Sequence, residues 1–350
     1  MGRPRVLLVN HEFTMTGASR MLETLAGVLL ADEFALDLLP VNPDPGPMRD
    51  AFTHLGLRIV TKFEPADYAM AIANSVGSCP FVARFGSQMP VAWRLAEIEV
   101  GRELLLRGWK VALPAFQAAR VIVFQTEIQK EIYGTFLWGT GAEQRVIPNA
   151  LAPPPPPVPV AAKIDLRIVG IGTVDNRKRH EDTILAVERL PPAMRQRIEV
   201  VIIGKIFRFE REAQRIVDAN PKRYRLLGER SNAETLSWLA SSDVFVLPSL
   251  SESFGVAVLE AMRAGKPVCL SDLPAYGAWG LRHGVNAMIN PPRDIDFLTF
   301  NLMLLLGQPA LARRIGEAGR RLASRYSLDA FRHEWLALIH RHMRRPEPGQ

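Results

Sequence analysis

Short apolar runs alternate with longer amphipathic stretches along most of the chain, a rhythm that predicts parallel sheets with helices on both faces. RVLLVN at 5–10 reads as a buried first strand. A turn at Thr16–Gly17 and a helix to about Leu30 follow. Further strands are expected at 34–41, 68–74, 91–95 and 120–124, and 145–147 closes the first half. The rhythm then breaks at APPPPPVPV, residues 152–160. Five consecutive prolines fit neither a helix interior nor a central strand, and they make a stiff, extended connector. Beyond it the pattern restarts. Strands are expected at 166–171, 199–203, 225–227, 244–247 and 267–270, and helices at 181–190, 209–219, 233–240 and 255–264.

The fold expected is therefore α/β, two Rossmann-like domains facing a cleft. Residues 1–151 form the first domain, 152–160 the linker and 161–325 the second domain. A C-terminal helix at 326–345 is expected to cross back to the first domain, with 346–350 as a tail. Open sheets of this kind bind ligands at the carboxyl ends of their strands, so two of them facing each other can hold two substrates, one from each side.

Composition narrows the setting. At 350 residues, 48% hydrophobic and 23% charged, the chain has ordinary globular values and a length suited to two domains. Its two cysteines, Cys79 and Cys269, build neither a disulfide framework nor a thiolate zinc site, so a reducing cytoplasm is expected. No secretory signal and no run of about 18 apolar residues is visible. Residues 1–150 carry 14 Lys and Arg against 15 Asp and Glu, while the remainder carries 29 against 21. The excess is concentrated after residue 310, where nine arginines face four acids. The basic C-terminal helices, including IHRHMRR, could hold the protein on anionic headgroups of the inner membrane face. Nucleic acid is not an expected partner, because no basic stripe is interleaved with aromatics.

The chemistry gathers in PSLSESFGVAVLEAMRAGKPV, residues 248–268, at the carboxyl end of an expected strand. Glu252 falls in the loop. Ser253, Phe254 and Gly255 open a helix whose first-turn N–H groups favour an anion such as a diphosphate. Gly255 lets the backbone approach a ligand closely. Glu260, about one and a half turns in, can accept from two vicinal hydroxyls, as on a ribose.

ESFGVAVLE resembles the E-x7-E signature of the retaining family-four (group 1) glycosyltransferases of GT-B fold, and 241–272 resembles that family's longer signature. GIGTVDNRKRHEDTILAV is similar to its donor-phosphate turn and following helix. VIIG at 201–204 and LLGE at 226–229 resemble strands beside its nucleobase pocket. HEFTMTGASRMLETLA resembles its Gly-containing loop after the first strand. The resemblance implies a transferase moving a sugar from a nucleotide-diphosphate donor to a saccharide or lipid-linked acceptor, in cell-surface polysaccharide or glycolipid synthesis. Glu260 would bind the donor ribose and Glu252 the hydroxyls of the transferred sugar. The amides of Ser253, Phe254 and Gly255 would touch sugar or diphosphate. Lys178 would neutralise the leaving diphosphate, with Arg177 and Arg179 beside it, and Gly17 would admit the donor from the first domain.

Two departures from the family pattern stand out. Thr173 follows Gly172 where an arginine is usual, leaving Arg177 as its substitute. PVAWRLAEIE lacks the usual histidine, so Arg94, Glu97 or His11 would fill that space. Asp294-Ile295-Asp296 has D-x-D spacing but reads as a helix N-cap. No metal and no cofactor beyond the donor are expected. The readings from other classes are a catalytically silent nucleotide-sugar-binding or scaffold protein of the same fold, and a nucleotide-sugar epimerase.

Overall fold

The computed structural model describes residues 3–32 and 34–344, so the expected 346–350 tail and Arg345 of IHRHMRR lie outside them. The chain divides into two compact units. Unit 1 joins Met1–Ala152 to Leu328–Gln350, and unit 2 is Pro153–Ser327.

Unit 1 holds a seven-stranded sheet of β1 (Arg5–Asn10), β2 (Ala35–Pro40), β3 (Arg58–Ile59), β4 (Met70–Asn74), β5 (Val91–Arg94), β6 (Val121–Phe124) and β7 (Glu143–Val146). The order is β3-β2-β1-β4-β5-β6-β7 and all neighbours are parallel. Two apolar layers cover its faces, one around Leu22, Leu25 and Phe52, the other around Trp93, Phe116 and Tyr133. β7 lies two residues before its expected start, and β3 was not anticipated. β3 has only two residues and no apolar run to announce it. A charge cluster holds it instead: Arg58 donates to Asp37 on β2 at 2.8 and 2.9 Å, and the Tyr68 hydroxyl donates to the same carboxylate at 2.6 Å. Arg5 on β1 completes the cluster. Burial raises the Asp37 pKa, but these three donors outweigh it and hold it near about 2.

The helix Leu328–His342 belongs to unit 1. Its Phe331, Trp335, Leu338 and Ile339 complete the first of the two apolar layers. Its polar side is paired as well. Arg332 takes Asp32, Glu334 takes Arg145 at 2.6 Å, and His342 and Arg341 reach Glu143 at 2.8 and 3.4 Å. Arg332, Arg341 and His342 of the basic C-terminal sequence are thus spent on ion pairs within unit 1.

Unit 2 begins with the proline run, and residues 151–163 have no regular structure. Val158 N–H donates to Ser237 Oγ at 2.9 Å, and the Ala161 carbonyl accepts from Arg167 at 2.7 Å. The sheet then runs β10-β9-β8-β11-β12-β13, all parallel, from β8 (Leu166–Ile171), β9 (Ile198–Ile203), β10 (Tyr224–Leu226), β11 (Val244–Leu247), β12 (Val268–Ser271) and β13 (Met288–Asn290). β13 was not anticipated, because its three residues are too few for a periodic signal. Arg167 on β8 and Glu199 on β9 sit opposite each other and are both buried, at 2.7–2.8 Å.

In each sheet the strand order reverses once, between β1 and β4 and between β8 and β11. At such a switch the loops leaving the two strands diverge to opposite faces and open a crevice at the carboxyl edge. The sequence therefore places two loops of interest in each unit.

Candidate functional site

In unit 2 the loops leaving β8 and β11 carry the predicted donor residues. After β8 the chain passes Gly172 at φ +147° and turns at Asp175. The Asp175 carboxylate accepts from the N–H groups of Arg177 and Lys178, both at 2.9 Å, and from the Thr173 hydroxyl at 2.7 Å. This is an Asx turn, and it aims Lys178. Burial raises the Asp175 pKa, but those bonds and the Arg177 charge hold it below the usual carboxylate range. Thr173 is thus a turn-builder with its hydroxyl already committed.

Lys178 Nζ bonds Glu252 Oε1, across 74 residues of sequence. Ser249 donates to the same oxygen at 2.7 Å, and Arg177 Nη1 lies 3.8 Å from it. Arg177 also clamps the second loop, donating to the Ser251 carbonyl at 3.1 Å and accepting from Leu250 N–H at 2.7 Å. The Lys178 side chain keeps 13% of its exposure and that of Glu252 6%, so the pair is desolvated yet reachable. Burial raises the Glu252 pKa, but Lys178, Arg177 and Ser249 outweigh it and keep the carboxylate ionised. Burial lowers the Lys178 pKa, against the pull of Glu252. Arg179 does not join them. It adopts a left-handed conformation at φ +52°, and Glu181, Asp182 and Glu210 hold its guanidinium.

Gly255, at φ +85°, caps the helix Val256–Arg263. A Cβ there would lie 2.9 Å from the Tyr276 ring, so glycine is required by both conformation and space. Phe254 is buried and stacks on Trp279 at 5.2 Å, which leaves its backbone as the part able to face a ligand. Ser253 is half-buried beside it. Glu260 is half-buried in the fifth position of the helix, with Arg263 as a charged neighbour.

Three residues of this site carry no signal in the motif. Ser249 completes the Glu252 cradle. The Tyr276 hydroxyl is buried without a hydrogen-bond partner, near Gly255 and within electrostatic reach of Glu252. His180 is fully buried beneath the turn, and neither ring nitrogen has a well-formed hydrogen bond. Burial, then the Lys178 charge, push its pKa down to about 4, so it stays neutral. A Cβ on Gly170 would lie 2.9 Å from its ring, and one on Gly172 3.3 Å from Lys178 Cε. The two glycines thus seat His180 and Lys178. Nothing in the sequence pattern singles out Ser249, Tyr276 or His180.

Unit 1 has its own pair of loops. Gly17 opens the helix Gly17–Ala31 after the N-cap Thr16, and a Cβ on it would meet nothing within 4 Å. Of the three residues offered in place of a histidine, Arg94 is 2% exposed and donates to Asn74 and Asn149 at 2.7 Å each. Burial lowers its pKa to about 10, opposed by the charge of Glu97. Glu97 is committed to the Ser75 hydroxyl and the Val76 N–H. It thereby holds Ser75 at φ +76°, a strained conformation for a serine. His11 keeps a partly exposed side chain, packed against Gly77 with Nε2 3.2 Å from Glu12.

Asp294 caps the helix Ile295–Gly307, accepting from Phe297 N–H at 2.9 Å, and Asp296 pairs with Arg189. Among the described residues no group of three or more His, Cys, Asp or Glu is arranged to hold a metal ion. No single described helix is long and apolar enough to cross a membrane, and the apolar helix Ile295–Gly307 buries Leu298, Leu302 and Leu305 in the core.

Residues 160–322 match the family described as glycosyl transferases group 1. The chain is 39% identical over 93 residues to MMP alpha-(1->4)-mannosyltransferase of Mycolicibacterium hassiacum, covering 27% of this chain and 23% of that protein. It is 37% identical over 103 residues to phosphatidyl-myo-inositol mannosyltransferase of Mycobacterium leprae, covering 29% and 27%. The matched segments thus span about a quarter of those relatives. Over 97% of its length the chain superposes on all of Anabaena HepE, solved with UDP and glucose, at a TM-score of 0.79 and 14% identity. Sucrose-phosphate synthase of Thermosynechococcus elongatus gives 0.73 at 17% identity, over 97% of this chain and 99% of that one. The architecture is the one expected, two doubly wound parallel sheets of the GT-B type. The likeness to the group 1 glycosyl transferases thus lies in residues 160–322, which fill most of the second unit and a little under half of the chain.

Proposed function

We propose that this chain is a glycosyltransferase that moves a sugar from a nucleotide-diphosphate donor to an acceptor hydroxyl with retention at the anomeric carbon. The observation that carries the proposal is the Lys178–Glu252 pair, with Arg177 beside it, at the mouth of the β8/β11 switch point. A diphosphate seated there meets two cations and the first-turn amides of the helix opened by Gly255. When the bond from the anomeric carbon to the diphosphate breaks, its electron pair leaves with the phosphate. Lys178 and Arg177 stabilise the charge that develops there. The acceptor oxygen bonds the same carbon and passes its proton to the departing diphosphate, which has gained the electron pair. Glu252, kept ionised by its neighbours, accepts from hydroxyls of the transferred sugar, and Glu260 from the donor ribose. Ser253, Phe254 and Gly255 contribute backbone, Thr173 builds the turn, and Gly17 leaves the first helix of unit 1 open to close approach of a ligand. The acceptor is a saccharide or lipid-linked saccharide, and no metal or cofactor takes part in this scheme.

The mannosyltransferase relatives support the reaction class, and the UDP and glucose held by HepE support the donor class. Thermal-shift measurements against UDP-, GDP-, ADP- and dTDP-sugars test it, because a bound donor raises the melting temperature by mass action. One donor should stabilise the protein selectively and be hydrolysed slowly without acceptor. A protein that binds a donor but never cleaves it, with or without acceptors, would instead be a silent nucleotide-sugar-binding member of the fold.

A further inference from the structure

The helices Glu99–Arg107 and Trp109–Ala118 in unit 1 reverse the usual arrangement of a globular helix. They bury Gly101, Leu105, Ala112, Ala115 and Phe116, yet leave six large apolar side chains exposed. These are Val100 (52%), Leu104 (54%), Leu106, Trp109 (52%), Val111 and Leu113. Val100 and Leu104 are one turn apart, and so are Trp109 and Leu113. Gly108 joins the two helices, and they touch each other. Large apolar side chains exposed in this number on two adjoining helices mark a contact with another phase or molecule.

Charge identifies which. From Leu104 to Gln117 the chain carries Arg107 and Lys110 and no acid. Both are exposed, and neither forms an ion pair among the described residues, unlike Arg332, Arg341 and His342 of the C-terminal helix. A tryptophan between two unpaired bases, among exposed aliphatic side chains on short helices, is the pattern of a surface that lies in a bilayer interface. The patch also adjoins the loop described above. Gly101 packs on the Tyr133 hydroxyl and, at 2.6 Å for an added Cβ, on Glu97, which holds Ser75 and Val76.

We propose that the surface formed by these two helices docks on an anionic lipid bilayer, with Trp109 and Leu104 inserted among the headgroups and Arg107 and Lys110 on lipid phosphates. This relocates the membrane contact expected from the basic C-terminal sequence. The proposal does not depend on the transfer chemistry, and its test reads lipid binding alone.

Full-length protein is mixed with vesicles of phosphatidylcholine, with and without phosphatidylglycerol, and pelleted. Binding should rise with phosphatidylglycerol and weaken with salt. The variants Leu104→Ser/Trp109→Ser and Arg107→Glu/Lys110→Glu should each lower the partition coefficient about tenfold or more at unchanged melting temperature. Reversing Arg313 and Arg314, on the basic helix Pro309–Ala323 of unit 2, should change nothing. In a Trp138→Phe background, which removes the other highly exposed tryptophan (93%), brominated lipids should quench tryptophan fluorescence through Trp109. No pelleting, equal pelleting with neutral vesicles, or full binding by the patch variants would overturn the proposal. So would a wild-type dimer that becomes monomeric in the Leu104→Ser/Trp109→Ser variant, because the surface would then belong to a second copy of the chain.

Discussion

Replacing Lys178 with methionine separates two tasks that its position combines. In the resting protein Lys178 is the counter-ion of a buried carboxylate. In the proposed reaction it stabilises the departing diphosphate. The structural cost can be bounded from the neighbours that remain. Arg177 Nη1 lies 3.8 Å from Glu252 Oε1, which at an effective dielectric constant of about 20 is worth about 4 kcal/mol before screening. The Arg177 side chain is 38% exposed, so solvent reduces this to roughly 1–2 kcal/mol. Ser249 still donates to the carboxylate at 2.7 Å. The variant should therefore lose about 2–3 kcal/mol of stability, below the upper range for breaking a fully isolated buried pair. Loss of one preorganised positive group at the leaving oxygen costs about 100- to 1000-fold in kcat. The double variant Lys178→Met/Glu252→Gln distinguishes the roles, because it removes both charges and should recover most of the stability. Urea denaturation gives stability, and steady-state transfer or donor hydrolysis gives kcat and KM. If the double variant also recovers activity, or if Lys178→Met alone stays within threefold of wild type, Lys178 is a counter-ion only and the proposed leaving-group role is wrong.

Three further outcomes follow from named contacts. Asp37, whose folded pKa of about 2 lies below its ordinary 3.8, contributes about 2 kcal/mol at neutral pH. A depressed carboxylate pKa gives stability that is present above pH 3.8 and lost as pH falls through 2. Asp37→Asn should therefore cost that amount at pH 7, and its difference from wild type should shrink across that window in urea titrations. Gly255→Ala forces a side chain into φ +85° and to 2.9 Å from Tyr276. It should cost at least about 1–2 kcal/mol and abolish the donor-induced thermal shift; an unchanged shift would remove the backbone of Gly255 from the donor site. Gly17→Ala meets no atom within 4 Å and should leave the melting temperature unchanged or slightly raised. A fall in kcat/KM at intact stability would report close approach of a ligand, and full activity would reduce Gly17 to a helix-opening residue.

Much of the architecture is written in local pattern. Long apolar strands such as β1, β8 and β9 announce themselves because several consecutive buried residues need no partner to be read. The proline run is equally local, since proline restricts the backbone wherever it stands. Gly255 before an amphipathic helix was legible for the same reason.

What the sequence could not decide depends on distance in space. The two-residue β3 exists because Asp37, Arg58, Arg5 and Tyr68 converge on one carboxylate. Neither the Lys178–Glu252 bond nor the Ser249 hydroxyl beside it follows from spacing, because 74 residues separate the two loops and only the strand order β8-β11 makes them adjacent. Arg177 and Arg179 flank Lys178 equally in sequence, yet the left-handed backbone at Arg179 sends it to three acids and leaves Arg177 at the site. In unit 1, burial alone separates Arg94, locked among amides, from the partly exposed His11. The basic C-terminal sequence and the apolar helices Glu99–Arg107 and Trp109–Ala118 make the same point. Charge and hydrophobicity are properties of residues, but whether they face solvent, a partner or the core is settled only when the chain has folded.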